Sequence, residues 1–241
     1  MQITVVEDPN LVEAVQENLD NSPYKGYVEH VVNDILKGKV AYLWGGAVRD
    51  PIVHLRYGIE LPTNDFDILV DDSDGKLDVG KLFEGEVDVF FNRFGTVKWR
   101  PVNNLEIDVS SFNNANSIKA GLGVDPTLDA MLTSCDFTTG SIAYGLQDRK
   151  IYDFKALAGI QAKEIELVYE ADEPHILMAR LVLHSDKLKF TIGERGMEFI
   201  RQSYTPELDR HIARYLTYKE KSDKTPRVTD RLKEIAGSQD L

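Results

Sequence analysis

The chain has 241 residues, of which 42% are hydrophobic and 28% are charged, and its formal net charge is −12. This composition is typical of a soluble globular protein with one sizeable core and room for a smaller helical part, and it excludes low-complexity and collagen-like chains. The negative charge also argues against an extended basic surface for nucleic acid, because affinity for a phosphate backbone depends on clustered Lys and Arg.

The lack of a recognisable targeting signal and the cysteine content predict a cytoplasmic protein. The N-terminus lacks a basic stretch followed by an apolar one, and no run of about 18 apolar residues occurs, so we expect neither secretion nor a membrane span. Cys135 is the only cysteine, which excludes an internal disulfide and a metal site made of thiolates. A bound metal ion would therefore have oxygen ligands. No pattern in the sequence indicates the oligomeric state.

The first part of the chain predicts two helices, a strand, a glycine turn and a third helix. Apolar residues at helical spacing predict the first two helices, around Leu11 to Leu19 and around Val28 to Ile35. The apolar run Val40 to Trp44 predicts a strand that ends at Gly45-Gly46, and a helix follows from Ala47 to Tyr57. Backbone amides at such a turn can bind phosphate, although two glycines can also form no more than a tight turn.

The segment Asp65 to Val70 alternates polar and apolar residues. As a strand it would carry Asp65 and Asp67 on one face and Phe66 and Ile68 on the other. Two carboxylates at this spacing can share divalent cations, because Mg²⁺ prefers a few carboxylates together with waters and substrate phosphates. An exposed strand face with ordinary acidic residues is the alternative interpretation.

Strands and then helices are predicted downstream. The predicted strands are Val87 to Phe91, Thr96 to Trp99, Glu106 to Ser110 and Lys150 to Phe154. The predicted helices are Thr127 to Leu132, Ser141 to Tyr144 and Pro174 to Leu188. The polar segment Asn113 to Asp125 predicts a mobile loop, either a lid or a plain connection. This order predicts an α+β fold with a mixed sheet flanked by helices, in a domain of residues 1–155, followed by a short helical segment of residues 156–241.

Two further positions could serve the same site. Arg49, just inside the helix after the glycine turn, is a candidate phosphate contact, with Asp50 as a structural anchor; an exposed ion pair is the alternative. Glu106 and Asp108 alternate with apolar residues, so either could supply a third carboxylate. A third carboxylate would complete a two-metal site, in which one ion activates an attacking hydroxyl and the other stabilises a leaving pyrophosphate.

These motifs, in this order, resemble the head domain of the class II CCA-adding enzymes and bacterial poly(A) polymerases, within the polymerase-β-like nucleotidyltransferase superfamily. The resemblance covers residues from about Val40 to Leu188. The matching segments are Leu43 to Asp50, Asn64 to Ile68, Arg93 to Val97, Ile107 to Phe112, Asp136 to Thr138, Ala143 to Asp148 and Leu157 to Ile160. The family's long helical body that binds tRNA has no counterpart here, so the resemblance predicts a nucleotidyltransferase head with a short helical neck.

The resemblance implies an enzyme that uses two Mg²⁺ ions to transfer a nucleoside monophosphate from ATP or CTP to an acceptor hydroxyl. The implied acceptor is an RNA 3′ end, and the implied process is RNA processing. The implied metal ligands, which are also the implied catalytic residues, are Asp65, Asp67 and Asp108, with Asp108 as the base nearest the attacking hydroxyl. The implied nucleotide contacts are Gly45, Gly46, Arg49 and Asp136.

Several positions differ from the family. Ser134 and Cys135 stand where the family has two arginines, Gly140 replaces an asparagine, and Asn113 replaces another arginine. In the neck segment that starts at Asp172, Ile176 stands where an arginine of the family reads the base. A bidentate arginine is not replaced by other residue types, so these differences favour a second hypothesis. In that hypothesis the chain is a non-catalytic relative that binds a nucleotide or a protein.

Overall fold

The structure is a computed structural model. It describes residues 2–73, 75, 77–91, 95–114, 118, 121, 123–170 and 173–237. The chain divides into two compact units, the first made of Met1–Cys135 and Gly140–Ala156, the second of Asp136–Thr139 and Leu157–Leu241. The division into domains at residues 155 and 156 stays a prediction.

An eight-stranded sheet forms the centre of the first unit. Its strands are β1 (Thr4–Val6), β2 (Ala41–Trp44), β3 (Asp65–Val70), β4 (Val89–Phe91), β5 (Val97–Trp99), β6 (Glu106–Ser111), β7 (Ile142–Gly145) and β8 (Ile151–Asp153). They lie in the order β1-β8-β7-β2-β3-β6-β5-β4. β3 and β6 are parallel, and the other neighbours are antiparallel. The predicted α+β fold with a mixed sheet and flanking helices is confirmed.

Helices of the first unit cover this sheet. They are α1 (Pro9–Asp20), α2 (Lys25–His30), α3 (Gly46–Tyr57), α4 (Val79–Leu82) and α5 (Leu128–Thr133), and α2 continues into a π-helical turn over Val31–Ile35. α1 begins after Asp8, whose side chain accepts a hydrogen bond from the amide of Asn10 at 3.0 Å. α3 ends at Gly58, which has a φ of 65° and so adopts the left-handed conformation that glycine favours at a helix end.

The second unit is mainly helical. Its elements are α6 (Ala156–Ala162, which begins with the last residue of the first unit), β9 (Glu164–Ile165), α7 (Pro174–Leu188), β10 (Thr191–Ile192), α8 (Glu194–Ser203), α9 (Asp209–Tyr218) and α10 (Thr225–Gly237). α7 buries Leu177, Leu181 and Val182 and packs against α8, α9 and α10. In the described part of the chain, no helix combines the length and apolar character needed to cross a membrane.

A short internal segment of the chain belongs to the second unit although the residues on both sides of it belong to the first. In this segment, Phe137 forms an antiparallel bridge with Leu167. The amide of Thr138 donates to the carbonyl of Glu166 at 2.9 Å, and that of Val168 donates to the carbonyl of Asp136 at 2.8 Å. Residues 136–139 are thus paired with the strand-like residues 166–168.

The prediction of a helix at Ser141 to Tyr144 is wrong, because Ile142–Gly145 form β7 between β2 and β8. All four residues of β7 are buried, so the strand shows no polar alternation. A short apolar run of this kind has the same pattern in a buried strand and in a buried helix. The predicted loop Asn113 to Asp125 lies partly outside the described residues, and its start is a 3₁₀ turn over Phe112–Asn114.

Candidate active site

β3 carries two aspartates on one face of the sheet. Phe66 and Ile68 alternate with them and are buried on the opposite face, while Asp65 is exposed and Asp67 is partly exposed. The apolar residues hold β3 in this orientation, because a shift by one residue would bring both carboxylates into the core. The structure therefore brings the side chains of Asp65 and Asp67 to the same face.

The glycine turn lies beside Asp67. Gly45 has a φ of 64° and donates its amide hydrogen to the carbonyl of Ile142 at 3.0 Å. A Cβ placed on Gly45 would lie 3.7 Å from Oδ2 of Asp67, so the backbone of the turn runs close to this carboxylate. α3 starts at Gly46, and helix geometry leaves the amides of Gly46 and Ala47 without an intrahelical partner.

The neighbouring strand β6 adds two more carboxylates. On β6, Glu106 lies opposite Asp65 and Asp108 lies opposite Asp67. Directly opposite residues of neighbouring strands share a face of the sheet. We call these four residues, Asp65, Asp67, Glu106 and Asp108, the acidic face.

A lysine from the next strand is bound to the acidic face. Lys98 on β5 lies opposite Asp108, and its Nζ donates to Oδ1 and Oδ2 of Asp108 at 2.8 and 2.6 Å and to Oε1 of Glu106. Arg100 binds the other carboxylate oxygen of Glu106, with Nε–Oε2 and Nη2–Oε2 distances of 2.8 and 2.5 Å. Sequence reasoning missed Lys98. Its position between buried Val97 and Trp99 was the available signal, but only the register of β5 against β6 shows which residue it meets.

Burial and repulsion between neighbouring carboxylates raise the pKa values of Asp67 and Asp108. Burial raises the pKa of the Asp67 carboxyl well above its ordinary value, and the negative charges of Asp65 and Asp108 raise it further. Burial also raises the pKa of Asp108, to about 6, although the hydrogen bonds and positive charge of Lys98 oppose the increase. A cation placed beside Asp67 would relieve this repulsion.

The acidic face fits one divalent cation better than two. Carboxylate oxygens are ligands that Mg²⁺ prefers, and Asp65 and Asp67 offer them on one strand face. Both oxygens of Asp108 are hydrogen-bonded to Lys98. Among the residues that the structure describes, no three His, Cys, Asp or Glu side chains are arranged to hold a metal ion. The predicted third ligand is thus engaged by a lysine in this structure.

Arg49 and Asp50 form a buried ion pair, so the exposed-pair interpretation is wrong. Arg49 is 3% exposed, and its Nε donates to Oδ1 of Asp50 at 2.7 Å, with Nη2 at 2.5 Å from the same oxygen. A Cβ on Gly46 would lie 3.4 Å from Nη2 of Arg49. The guanidinium therefore packs behind the glycine turn, and a contact with the nucleotide stays a prediction.

Asp136, the remaining predicted nucleotide contact, is buried in the second unit and forms an ion pair with Arg180 of α7. The guanidinium carbon of Arg180 also lies 5.7 Å from the centre of the Phe137 ring, within the range of a cation–π contact. The structure thus gives Asp136 a partner within its own unit, and its role in nucleotide binding stays a prediction.

We expect Arg180→Met to lower the free energy of unfolding by about 2–3 kcal/mol, somewhat below the range for a fully buried pair broken from one side, because the Arg180 side chain is 35% exposed. Urea denaturation measures this change. The matched control is Arg195→Met, which removes an exposed pair with Glu170 at 3.7 Å and should change stability by less than about 0.5 kcal/mol. Equal effects of the two substitutions would contradict a structural role for the Asp136 pair.

Three of the positions that differ from the family, Ser134, Cys135 and Asn113, have local partners. Ser134 Oγ donates to the carbonyl of Ala130 at 2.5 Å, and Cys135 Sγ donates to the carbonyl of Met131 at 3.4 Å. Asn113 Nδ2 donates to Oδ2 of buried Asp72 at 2.7 Å. These three side chains are uncharged, so none provides the positive charge of an arginine. The matching residues Arg93 and Phe94, and the neck residue Asp172, lie outside the described residues.

Comparison of the sequence with protein-family models finds no match, and comparison with curated proteins finds none either. Several solved structures are similar in fold. One is a CCA-adding enzyme in complex with CTP, at 15% identity and a TM-score of 0.63, covering 96% of this chain and 55% of that one. The Thermotoga maritima CCA-adding enzyme complexed with tRNA has 17% identity and a TM-score of 0.59, covering 96% of this chain and 55% of that one.

A third similar structure is a tRNA nucleotidyltransferase complexed with a primer tRNA and an incoming ATP analogue. It has 18% identity and a TM-score of 0.55, and the match covers 88% of this chain and 61% of that one. The chain thus spans between 55% and 61% of the length of these three proteins. The chain has the fold of CCA-adding enzymes and tRNA nucleotidyltransferases.

Proposed function

We propose that the protein is a metal-dependent nucleotidyltransferase that transfers a nucleoside monophosphate from ATP or CTP to an acceptor hydroxyl. The observation that carries the proposal is the position of Asp65 and Asp67 on one face of β3, beside the glycine turn that begins α3. The fold shared with a CCA-adding enzyme that binds CTP supports this class of substrate. By the same resemblance the acceptor is an RNA 3′ end, and the protein acts in RNA processing.

The triphosphate binds at the start of α3. The amides of Gly46 and Ala47 point out of the helix end, and the helix dipole favours negative charge there. Gly45 shapes the turn through its positive φ, since its own amide is bonded to Ile142. The close approach of Gly45 to Asp67 places this anion site next to the carboxylates.

Asp65 and Asp67 hold Mg²⁺. When bound, Mg²⁺ neutralises the charge that develops on the phosphoryl oxygens and lowers the pKa of the attacking hydroxyl. Asp108, opposite Asp67, has a pKa of about 6, which suits proton transfer near neutral pH. Its role as the base stays a prediction.

A second candidate function, a non-catalytic relative that binds a nucleotide or a protein, is favoured by two observations. Lys98 engages both oxygens of the third carboxylate. Ser134 and Cys135 donate to backbone carbonyls where the family has arginines. Against this function, Asp65 and Asp67 place like charges side by side, which destabilises the fold unless a cation binds there.

The test is nucleotide transfer by the full chain. Labelled ATP or CTP is incubated with Mg²⁺, total RNA and the wild-type, Asp65→Ala or Asp67→Ala protein, and labelled RNA is counted with and without EDTA. We expect incorporation by the wild type alone, and only with the metal. Glu60→Gln, which neutralises a carboxylate on an 88% exposed side chain, is the matched control and should keep full activity.

Two outcomes would contradict the proposal. Equal incorporation by the wild type and both alanine variants would identify a contaminant as the source. No incorporation with either triphosphate would leave the non-catalytic function as the better explanation.

A further inference from the structure

Lys98 places a fixed positive charge inside the acidic face. Its ammonium group contacts both carboxylate oxygens of Asp108 and one oxygen of Glu106, and only 25% of its side chain is exposed. An ammonium ion has three hydrogens to donate, and the structure shows a carboxylate oxygen for each of them. The group thus occupies the position in which a cation would bind Asp108.

We propose that Lys98 takes the place of one of the two metal ions, so that the site binds a single divalent cation, held by Asp65 and Asp67. The inference rests on the proposed function and specifies its metal requirement. Asp108 then binds the ammonium group of Lys98 in place of a second ion. The two-ion site implied by the resemblance is replaced by one ion and one lysine.

The charges of the acidic face support a single ion. Among the described contacts of this face, Lys98 binds Asp108 and Glu106, and Arg100 binds Glu106. A second divalent cation bound to Asp108 would lie beside the ammonium group of Lys98, which contacts both oxygens of that carboxylate. Like charges at such short distances disfavour binding strongly where water is partly excluded. A second ion would therefore require that Lys98 leave.

On β4, the residue opposite Lys98 is aromatic and offers no carboxylate. Phe90 lies opposite Lys98 on β4, the edge strand of the sheet, so an aromatic ring occupies the next position on the same face. Arg100 already binds the second oxygen of Glu106 and lies over the Phe90 ring, with its guanidinium carbon 5.6 Å from the ring centre. An ion that displaced Lys98 would also have to shed water, which Mg²⁺ does reluctantly.

The test counts bound metal ions. Mn²⁺ is titrated into the full chain at about pH 8 without nucleotide, and free Mn²⁺ is measured by electron paramagnetic resonance. We expect the wild type to bind one ion per chain and Asp67→Asn to bind none. Lys98→Met should bind a second ion at least about 10-fold more tightly than any second ion binds to the wild type. Arg100→Met, which removes a cation that contacts Glu106 and not Asp108, is the matched control and should still bind one.

The outcomes separate the inference from the function on which it rests. Two ions of similar affinity in the wild type would overturn the inference and leave the proposed nucleotidyltransferase intact. A single ion in Lys98→Met, with wild-type affinity, would overturn it as well. No ion that depends on Asp67 in any variant would overturn the proposed function and the inference together. If Lys98→Met does not fold, Lys98→Gln replaces it, and the wild-type count alone can still overturn the inference.

Discussion

Asp67→Asn should abolish nucleotide transfer and at the same time stabilise the protein. The rate should fall by about 10³-fold or more, the scale seen when a principal charge-stabilising group is lost. The free energy of unfolding without metal should rise by about 1–2 kcal/mol, the size of a favourable single substitution. The physical reason is that Asp67 is a partly exposed and largely desolvated carboxylate beside Asp65 and Asp108, so its ionised form is held in the fold against repulsion. Transfer assays and thermal denaturation measure the two effects.

The gain in stability from Asp67→Asn should depend on pH. Because the fold raises the pKa of Asp67, the wild type loses stability as the pH rises above the ordinary value of 3.8 and through the raised pKa. The difference between Asp67→Asn and the wild type should therefore grow with pH and disappear in acid. Mg²⁺ should raise the melting temperature of the wild type and leave that of Asp67→Asn unchanged. A variant less stable than the wild type at neutral pH would contradict this account.

Asp65 and Glu60 supply the controls for Asp67. Asp65→Asn should also lose activity, but it should stabilise the protein less, because Asp65 is exposed. Glu60→Gln removes a carboxylate far more exposed than Asp67 and should change neither activity nor stability. Similar gains in stability for all three variants would mean that net charge, and not the acidic face, explains the effect.

Arg49→Met should lower the free energy of unfolding by about 3–5 kcal/mol, because it breaks a buried ion pair from one side. The side chains of Arg49 and Asp50 are 3% and 4% exposed, so water cannot solvate the carboxylate once the guanidinium is removed. Chemical denaturation measures the loss, and triphosphate binding is measured below the transition. Weakened binding by the folded variant would support the predicted contact of Arg49 with phosphate.

The double variant Arg49→Met/Asp50→Leu is the control for this pair. Replacing both charges with apolar side chains of similar volume should recover most of the lost stability, since no charge is then left buried. If the double variant is no more stable than Arg49→Met, the ion pair does not explain the effect. That outcome would mean that the shape of the Arg49 side chain, and not its charge, supports the glycine turn.

Local patterns predicted those parts of the site that depend on one strand or one turn. The alternation from Asp65 to Val70 was enough to place two carboxylates on one face, because one side of β3 is buried. β7 was assigned to the wrong class because a strand buried on both faces has no alternation. β1, a three-residue strand at the edge of the sheet, was not predicted.

The electrostatic partners of the site could not be predicted in the same way. Lys98 and Asp108 meet because β5 and β6 pair in one register, which the intervening residues do not reveal. Arg49 and Asp50 are adjacent charged residues, and charged residues are mostly exposed, so their burial against the glycine turn contradicts the usual expectation. Both contacts depend on tertiary packing.

The segment Asp136–Thr139 means that no single cut in the chain can separate the two units. A fragment ending near residue 156 would keep Phe137, which is 3% exposed in the whole chain, but would lose Leu167, its bridge partner. Such a fragment would expose the Phe137 ring and unpaired backbone groups to water, which favours aggregation. Truncated forms of this protein should therefore be insoluble unless the residues that pair with Phe137 are retained.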